Sequence, residues 1–304
     1  MSVREHLQLA RLKTKIRAEV RRSVQQSLAA FGKLYLPHHV EKPGSRMHAE
    51  LYPILEVLPD KPGARLAVAA PRGSAKSTLV SLIFALWVIC HRKRRFLVLI
   101  SDTADKAGDF LEQIKHELVH NERLAEDYPD VCERGGRYPR PPRWRSHEII
   151  THNQVKVLAM GWGQNIRGRR HIENRPDLIL LDDVESRENT HSAEARAKLD
   201  EWFNKSVLKA GTKETQVIVV GTIQHYDSLL AKLTDPIKRP MWEGKVYRSV
   251  EHWSDHPELW QTWSAILHRR EDYEGEHGSN AARRFFEDHR DARHTGLHPQ
   301  RQRP

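Results

Sequence analysis

The chain has 304 residues, enough for one large domain or two modest ones with a substantial core, and its 50 Lys+Arg against 40 Asp+Glu give a net charge of +10 that favours a polyanionic partner such as nucleic acid. Two cysteines, Cys90 and Cys132, exclude a disulfide-stapled secreted scaffold and fit a reducing compartment. No apolar stretch approaches the roughly 18 residues that a membrane span needs, and the opening MSVREHLQLA lacks the apolar core of a signal peptide, so the chain reads as soluble and intracellular.

In chain order, Leu9, Leu12, Ile16, Val20, Val24 and Leu28 recur at spacings of three or four, one apolar stripe on a basic helix. The helix either packs on the main domain with its basic face solvated or docks a partner protein or DNA. Pro37 and the Lys42-Pro43-Gly44 turn interrupt the chain before a helical patch at 47–58. From residue 65 the pattern alternates. Short apolar runs at 65–70, 96–100, 155–160, 178–181 and 217–220 read as buried strands, and 76–90, 103–120 and 191–209 as helices. This pattern predicts an α/β fold, a mostly parallel sheet flanked by helices. Residues 127–148, rich in Arg and Pro, read as a loop or insertion that either tracks a DNA backbone or is simply solvated. His116 and His120 sit at chelating spacing on a helix, but no metal-binding pattern accompanies them, so they read as a solvated face. After residue 240 the strand signal fades, and the end of the chain reads as a disordered tail.

The stretch Ala70-Pro-Arg-Gly-Ser-Ala-Lys-Ser-Thr78 follows an apolar strand and opens a helix. A phosphate-binding loop needs small residues so that backbone N–H groups reach the oxyanions, a Lys for the β/γ-phosphates and a hydroxyl for Mg²⁺. Lys76 and Ser77 stand where those two roles belong. The strict Walker A pattern fails, because Ala70 and Ala75 occupy both glycine positions and alanine resists positive φ.

A second element lies 182 − 76 = 106 residues beyond that lysine, where Asp177-Leu-Ile-Leu-Leu-Asp-Asp-Val-Glu185 reads as a Walker B-like strand delivering carboxylates to the sheet edge. Asp182 is the candidate for Mg²⁺, and Asp183 or Glu185 for orienting and deprotonating the attacking water. Arg167, Arg169 and Arg170 either stabilise transferring phosphate or contact DNA. Gly221-Thr222, after the run at 217–220, is either a γ-phosphate relay or a plain strand-ending turn.

Together, PRGSAKST at 71–78, LVLISDTADKA at 97–107, IRGRR at 166–170, RPDLILLDDVESREN at 175–189 and VIVVGTIQHYDSLL at 217–230 resemble the ATPase domain of the large terminase subunit of tailed bacteriophages and prophages. The resemblance implies a P-loop NTPase of the additional-strand, catalytic-glutamate type, whose phosphate loop is commonly deviant. It implies a nucleotide-binding hydrolase that uses ATP and Mg²⁺ to package double-stranded phage DNA in the cytoplasm of the bacterial host. The implied partners are the small terminase subunit, the portal and procapsid, and further copies of the chain in a homo-oligomeric ring, with no membrane.

By the same resemblance Gly73, Ser74, Ala75, Lys76, Ser77 and Thr78 would bind nucleotide, Ser77 and Asp182 would hold the metal, and Arg72 would be the loop arginine. Arg167 would complete a neighbouring subunit's site, and Thr222 would couple hydrolysis to movement. Asp183 stands where the usual glutamate belongs, which leaves Asp183 and Glu185 as alternative bases. The implied domains are a basic amphipathic helix at 1–34, the ATPase domain at 35–240, a subdomain or linker at 241–290 and a tail at 291–304. The nuclease domain that large terminases normally carry is expected to be missing, so no endonuclease activity is carried over. Two other functions stay open: another nucleic-acid-stimulated P-loop ATPase, and a non-hydrolysing remnant that only binds partners.

Overall fold

The computed structural model describes residues 3–132, 143–250 and 256–289. The chain divides into two compact units, Met1–Tyr247 and Arg248–Pro304. In the first, eight strands form one sheet: β1 (Arg65–Ala69), β2 (Phe96–Ser101), β3 (Arg143–Trp144), β4 (Glu148–Ile150), β5 (Lys156–Gly161), β6 (Leu178–Asp182), β7 (Gln216–Gly221) and β8 (Glu243–Val246). Their spatial order is β3-β4-β5-β2-β6-β7-β1-β8. All pairings from β5 to β8 are parallel, and only the β3–β4–β5 edge is antiparallel.

The central strands are apolar throughout because both faces of the sheet are covered. Their side chains alternate between two cores. Val68, Leu97, Leu99, Val157, Leu180 and Ile218 join one core, while Ala67, Val98, Ile100, Leu158, Ile179 and Val219 join the other. The first core also takes in buried residues from α2 (Leu28–Tyr35), α3 (Arg46–Val57), a π-wound segment at Thr78–Phe84 continuing as α4 (Ala85–Cys90), α5 (Ala104–His120) and α6 (Glu122–Asp127). The second core takes in α8 (Ala193–Trp202) with its π-wound continuation Phe203–Val207, and α9 (Leu229–Leu233); the short α7 (Arg187–Thr190) precedes them.

Several expectations need adjusting. The N-terminal stripe does not pack along its length. In α1 (Val3–Gln26), Val24 is 3% exposed but Leu12 and Ile16 are 57% and 53% exposed. The chain breaks at Ser27, whose hydroxyl caps α2, and among the described stripe residues Val24 and Leu28 enter the core. Arg17 pairs with Glu126 at 2.6 Å, and Arg21 donates to the Asp127 carbonyl, which ties the helix to α6 through polar contacts.

Part of the expected loop at 127–148 is a hairpin, because Arg143 and Trp144 pair with Ile150 and Ile149. Arg143 is committed there to Glu148, which Lys156 also approaches at 3.2 Å; residues 133–142 lie outside the described set. Strand β8 continues the sheet beyond residue 240. It went unread in the sequence because it is an edge strand with largely exposed side chains, Glu243-Gly-Lys-Val246. The second unit holds α10 (Pro257–Leu267) and α11 (Ser279–Asp288), packed through Ile266, Ala281, Ala282 and Phe285. The expected tail at 291–304 lies outside the described residues.

Candidate active site

Strand β1 ends against β7, with the Ala70 N–H donating to the Gly221 carbonyl at 2.9 Å. The chain then turns sharply and enters the helix at Lys76. Gly73 has φ 76° and Ala75 has φ 58°. Only the second of the two alanines therefore takes the left-handed conformation that a glycine would hold without strain, at a cost of roughly 1–2 kcal/mol. Ala70 remains in the ladder and needs no such freedom. The loop places the amino end of a helix at a cavity of about 920 Å³, lined by Arg72, Gly73, Ala75, Lys76 and Ser77 on one side. Unpaired helix N–H groups and the dipole make such an end favourable to anions.

Strand β6 brings its carboxylates to the same edge. Asp182 is 2% exposed and accepts hydrogen bonds from Ser77 Oγ at 2.9 Å and Ser81 Oγ at 2.5 Å. Burial pushes its carboxyl up to about 6 against the Ser81 hydrogen bond, with the neighbouring Asp183 charge adding to the rise. Asp183 differs. Its backbone adopts φ 43°, its side chain is 46% exposed, and its Oδ2 lies 3.3 Å from Lys76 Nζ. Its Oδ1 accepts the Thr222 backbone N–H at 3.1 Å. A Cβ at Gly221 would stand 3.3 Å from that same Oδ1 and 3.2 Å from Leu230 Cδ2, so glycine lets the end of β7 lie this close to the carboxylate.

Glu185 is buried, and its Oε1 accepts the Leu230 N–H at 2.8 Å, at the start of α9. Burial raises its carboxyl above the usual range, opposed by that backbone hydrogen bond. Asp183 thus contacts the loop lysine, whereas Glu185 holds the segment that follows β7. Thr222 joins the two halves, since its hydroxyl donates to the Ala70 carbonyl at 3.1 Å.

Arg72 is exposed and lines the cavity. Thr78 begins the π-wound segment, and neither it nor Ser74 lines the cavity. Arg167 is not brought to it either: its guanidinium donates to the Lys205 carbonyl and it is absent from the cavity wall. Residues not assigned a role from sequence do line it, notably Asp102, Lys106, Arg187, Gln224 and His225. Lys106 Nζ is 2.6 Å from Asp102 Oδ2. Their signal was present, since each falls within one of the matched stretches, but their convergence depends on β2 lying beside β6.

The donor set fits a magnesium nucleotide. A hydroxyl and a carboxylate, both hard oxygen donors, meet at Ser77 and Asp182. Ser74 Oγ, off the cavity wall, is buried in the loop with no hydrogen-bond partner, a capacity that a water would satisfy. The opposed lysine and carboxylate complete a charge arrangement suited to phosphoanhydride chemistry.

The position of β7 between β1, which carries the loop, and β6, which carries the acids, defines the additional-strand arrangement of P-loop NTPases. Among solved structures, the chain is similar to the large terminase of bacteriophage HK97, with 16% identity, a TM-score of 0.52 and coverage of 88% of this chain and 52% of that one. The chain thus shares the fold of a phage large terminase while spanning about half of that protein's length. The Thermus phage P74-26 large terminase ATPase domain and a mutant of it align at TM-scores of 0.39, with 14% and 13% identity over 75% of this chain and 88% and 89% of theirs. No family model matches the sequence, and no curated protein matches it. Among the described residues no helix is long and apolar enough to cross a membrane.

Proposed function

We propose that this chain is the ATP-hydrolysing motor domain of a phage terminase large subunit, acting on double-stranded DNA. The observation that carries the reading is the meeting of Lys76 and Asp183 at 3.3 Å beside the Ser77–Asp182 pair. In this reading Lys76 draws the β- and γ-phosphates onto the helix end, and the loop N–H groups from Gly73 to Thr78 hold the oxyanions. Ser77 and Asp182 hold Mg²⁺, which when bound neutralises charge on the phosphates. Asp183, half exposed and oriented by the Thr222 N–H, positions the attacking water and takes its proton. Glu185 is assigned a positioning role at the start of α9. Thr222 communicates between the carboxylate and the loop, and Arg72 and Arg187 supply positive charge at the cavity wall.

Motor work further requires a ring of copies at the portal of a procapsid, the small subunit to select DNA, and the host cytoplasm as the place of assembly. The +10 charge is consistent with a DNA partner. In this reading the catalytic domain extends through β8 to Tyr247, where the first compact unit ends, and takes α2 and the end of α1 into its core.

The test is steady-state ATP turnover of wild type and Lys76→Ala, with and without double-stranded DNA and procapsids. Turnover that is lost in the variant and stimulated by DNA or procapsids is expected. Absence of turnover from folded protein under every condition would overturn the reading in favour of a binding-only chain.

A further inference from the structure

At the far end of α5 from the nucleotide cavity, three metal-ligating side chains converge. The helix α2 runs into a 3₁₀ turn, Pro37–His39, that presents two consecutive imidazoles. Their rings lie side by side, with centroids 4.3 Å apart. His38 Nε2 lies 2.9 Å and His39 Nε2 3.4 Å from one and the same atom, Oε1 of Glu117.

Glu117 is only 4% exposed and is aimed from behind. Asn121 Nδ2 donates to its Oε2 at 2.8 Å and to the Tyr35 carbonyl at 2.7 Å. The carboxylate is therefore fixed with its other oxygen turned toward both imidazoles. The His38 and His39 side chains are 51% and 30% exposed, which leaves the cluster open to solvent on one side.

A single ion pair would use one imidazole. Here two nitrogens and an oxygen lie within 4.8 Å of one another. A tetrahedral zinc ion bound at 2.0–2.2 Å spaces its ligand atoms about 3.3 Å apart, close to the 2.9 and 3.4 Å from each imidazole to Oε1, so side-chain rotation at the two partly exposed histidines is what binding requires. Two imidazoles with one carboxylate suit a borderline transition metal and not the all-oxygen shells that Mg²⁺ and Ca²⁺ prefer.

We propose that His38 Nε2, His39 Nε2 and Glu117 Oε1 bind a divalent ion of the zinc class, at a site separate from the Mg²⁺ carried with nucleotide. Water from the adjoining cavity would supply the fourth ligand. The ion would join the turn after α2 to the last turn of α5, two segments 117 − 38 = 79 residues apart. A ligand that binds the folded chain alone raises its stability by mass action. Metal occupancy would therefore fasten the N-terminal helices to the helix that begins beside Asp102 and Lys106.

The test uses the untagged full-length chain, stripped with chelator and without nucleotide, titrated with Zn²⁺ and separately with Co²⁺. One equivalent bound at micromolar Zn²⁺, a visible ligand-field band with Co²⁺ and a rise in Tm of a few degrees are expected (about that size from mass action). The double variant His38→Ala/His39→Ala changes only partly exposed side chains and is expected to lose the equivalent, the band and the Tm response. Asp182→Asn, at the other site, is expected to keep all three. Glu117→Gln, checked for native circular dichroism, provides a second removal of one donor with little change in shape. Binding of the same equivalent by the double His variant, or no stoichiometric binding by wild type, would overturn the proposal.

Discussion

The backbone N–H of Thr222 donates to Asp183 Oδ1 at 3.1 Å while the hydroxyl of the same residue donates to the Ala70 carbonyl at 3.1 Å. One residue at the end of β7 therefore touches both the acidic strand and the root of the phosphate loop. Thr222→Val keeps the backbone bond and removes the hydroxyl. Nucleotide affinity is expected to change less than threefold, while DNA-stimulated turnover falls about fivefold, the scale of one lost hydrogen bond of ~1 kcal/mol. Stimulated turnover equal to wild type would remove Thr222 from the coupling role.

The two carboxylates after Asp182 make different contacts, Asp183 with Lys76 and Glu185 with the Leu230 N–H, and substitution tests whether their roles differ too. Asp183→Asn is expected to lower kcat by 10²-fold or more, the scale of a lost general base, with nucleotide binding retained. Glu185→Gln is expected to leave kcat within a few-fold and stability within about 1 kcal/mol, because the amide oxygen still accepts the Leu230 N–H and a charge disfavoured by burial is removed. Urea unfolding beside single-turnover kinetics reads both. The reverse pattern, kcat collapsing in Glu185→Gln and surviving in Asp183→Asn, would exchange the assignments.

Backbone strain in the loop predicts opposite signs at two neighbouring positions. Ala75, at φ 58°, gains from glycine, so Ala75→Gly is expected to be neutral or to stabilise by up to about 1 kcal/mol, relief of left-handed strain offsetting added chain entropy. Gly73, at φ 76°, has no atom within 4 Å of an added Cβ, so Gly73→Ala costs only the backbone term, about 1–2 kcal/mol. Thermal unfolding of the two variants compares them directly. A destabilised Ala75→Gly would contradict the loop geometry.

Acid sensitivity is expected to originate partly at His91. Burial pushes its imidazole down to about 4 from a usual value of 6.5, with the Trp87 carbonyl opposing and Lys93 adding. Tyr128 shares a 2.7 Å hydrogen bond with its Nε2. As pH falls below 6.5 the unfolded chain takes up this proton first, which favours unfolding. This contribution therefore erodes between about 6.5 and about 4, and is flat above and below. The loss is on the order of 3 kcal/mol, at 1.36 kcal/mol per pH unit over that window. Urea midpoints measured across pH 4–7.5 are expected to fall more steeply for wild type than for His91→Gln, and parallel curves would refute the assignment.

Arg167 donates to the Lys205 carbonyl and lies outside the cavity wall of its own chain. If it serves a neighbouring copy, Arg167→Ala mixed with Lys76→Ala is expected to regain part of the turnover that each lacks alone, because composite sites form in a ring. No regain, together with a flatter salt dependence of DNA binding in Arg167→Ala, would assign this arginine to DNA phosphates instead.

Local chemistry was legible in the sequence. The alternation of apolar runs with amphipathic stretches located β1, β2, β5, β6 and β7, the parallel strands of the covered sheet, because a strand buried on both faces must be apolar throughout. Lys76, Ser77 and Asp182 stood out as candidates for a related reason: phosphate and metal chemistry admits few residue types, and each lies at or after the end of a strand. What required the tertiary structure was every question of adjacency. Strand order placed Asp102 and Lys106 beside the loop and inserted β7 between β1 and β6. The left-handed turn at Asp183 sets its carboxylate at Lys76 while Glu185 meets the Leu230 N–H, and Leu12 and Ile16 of the N-terminal stripe face solvent while Val24 is buried. The meeting of His38 and His39 with Glu117 depends likewise on how α2 and α5 pack. Such contacts join residues tens of positions apart, and side-chain periodicity carries information only about neighbours within a turn or two.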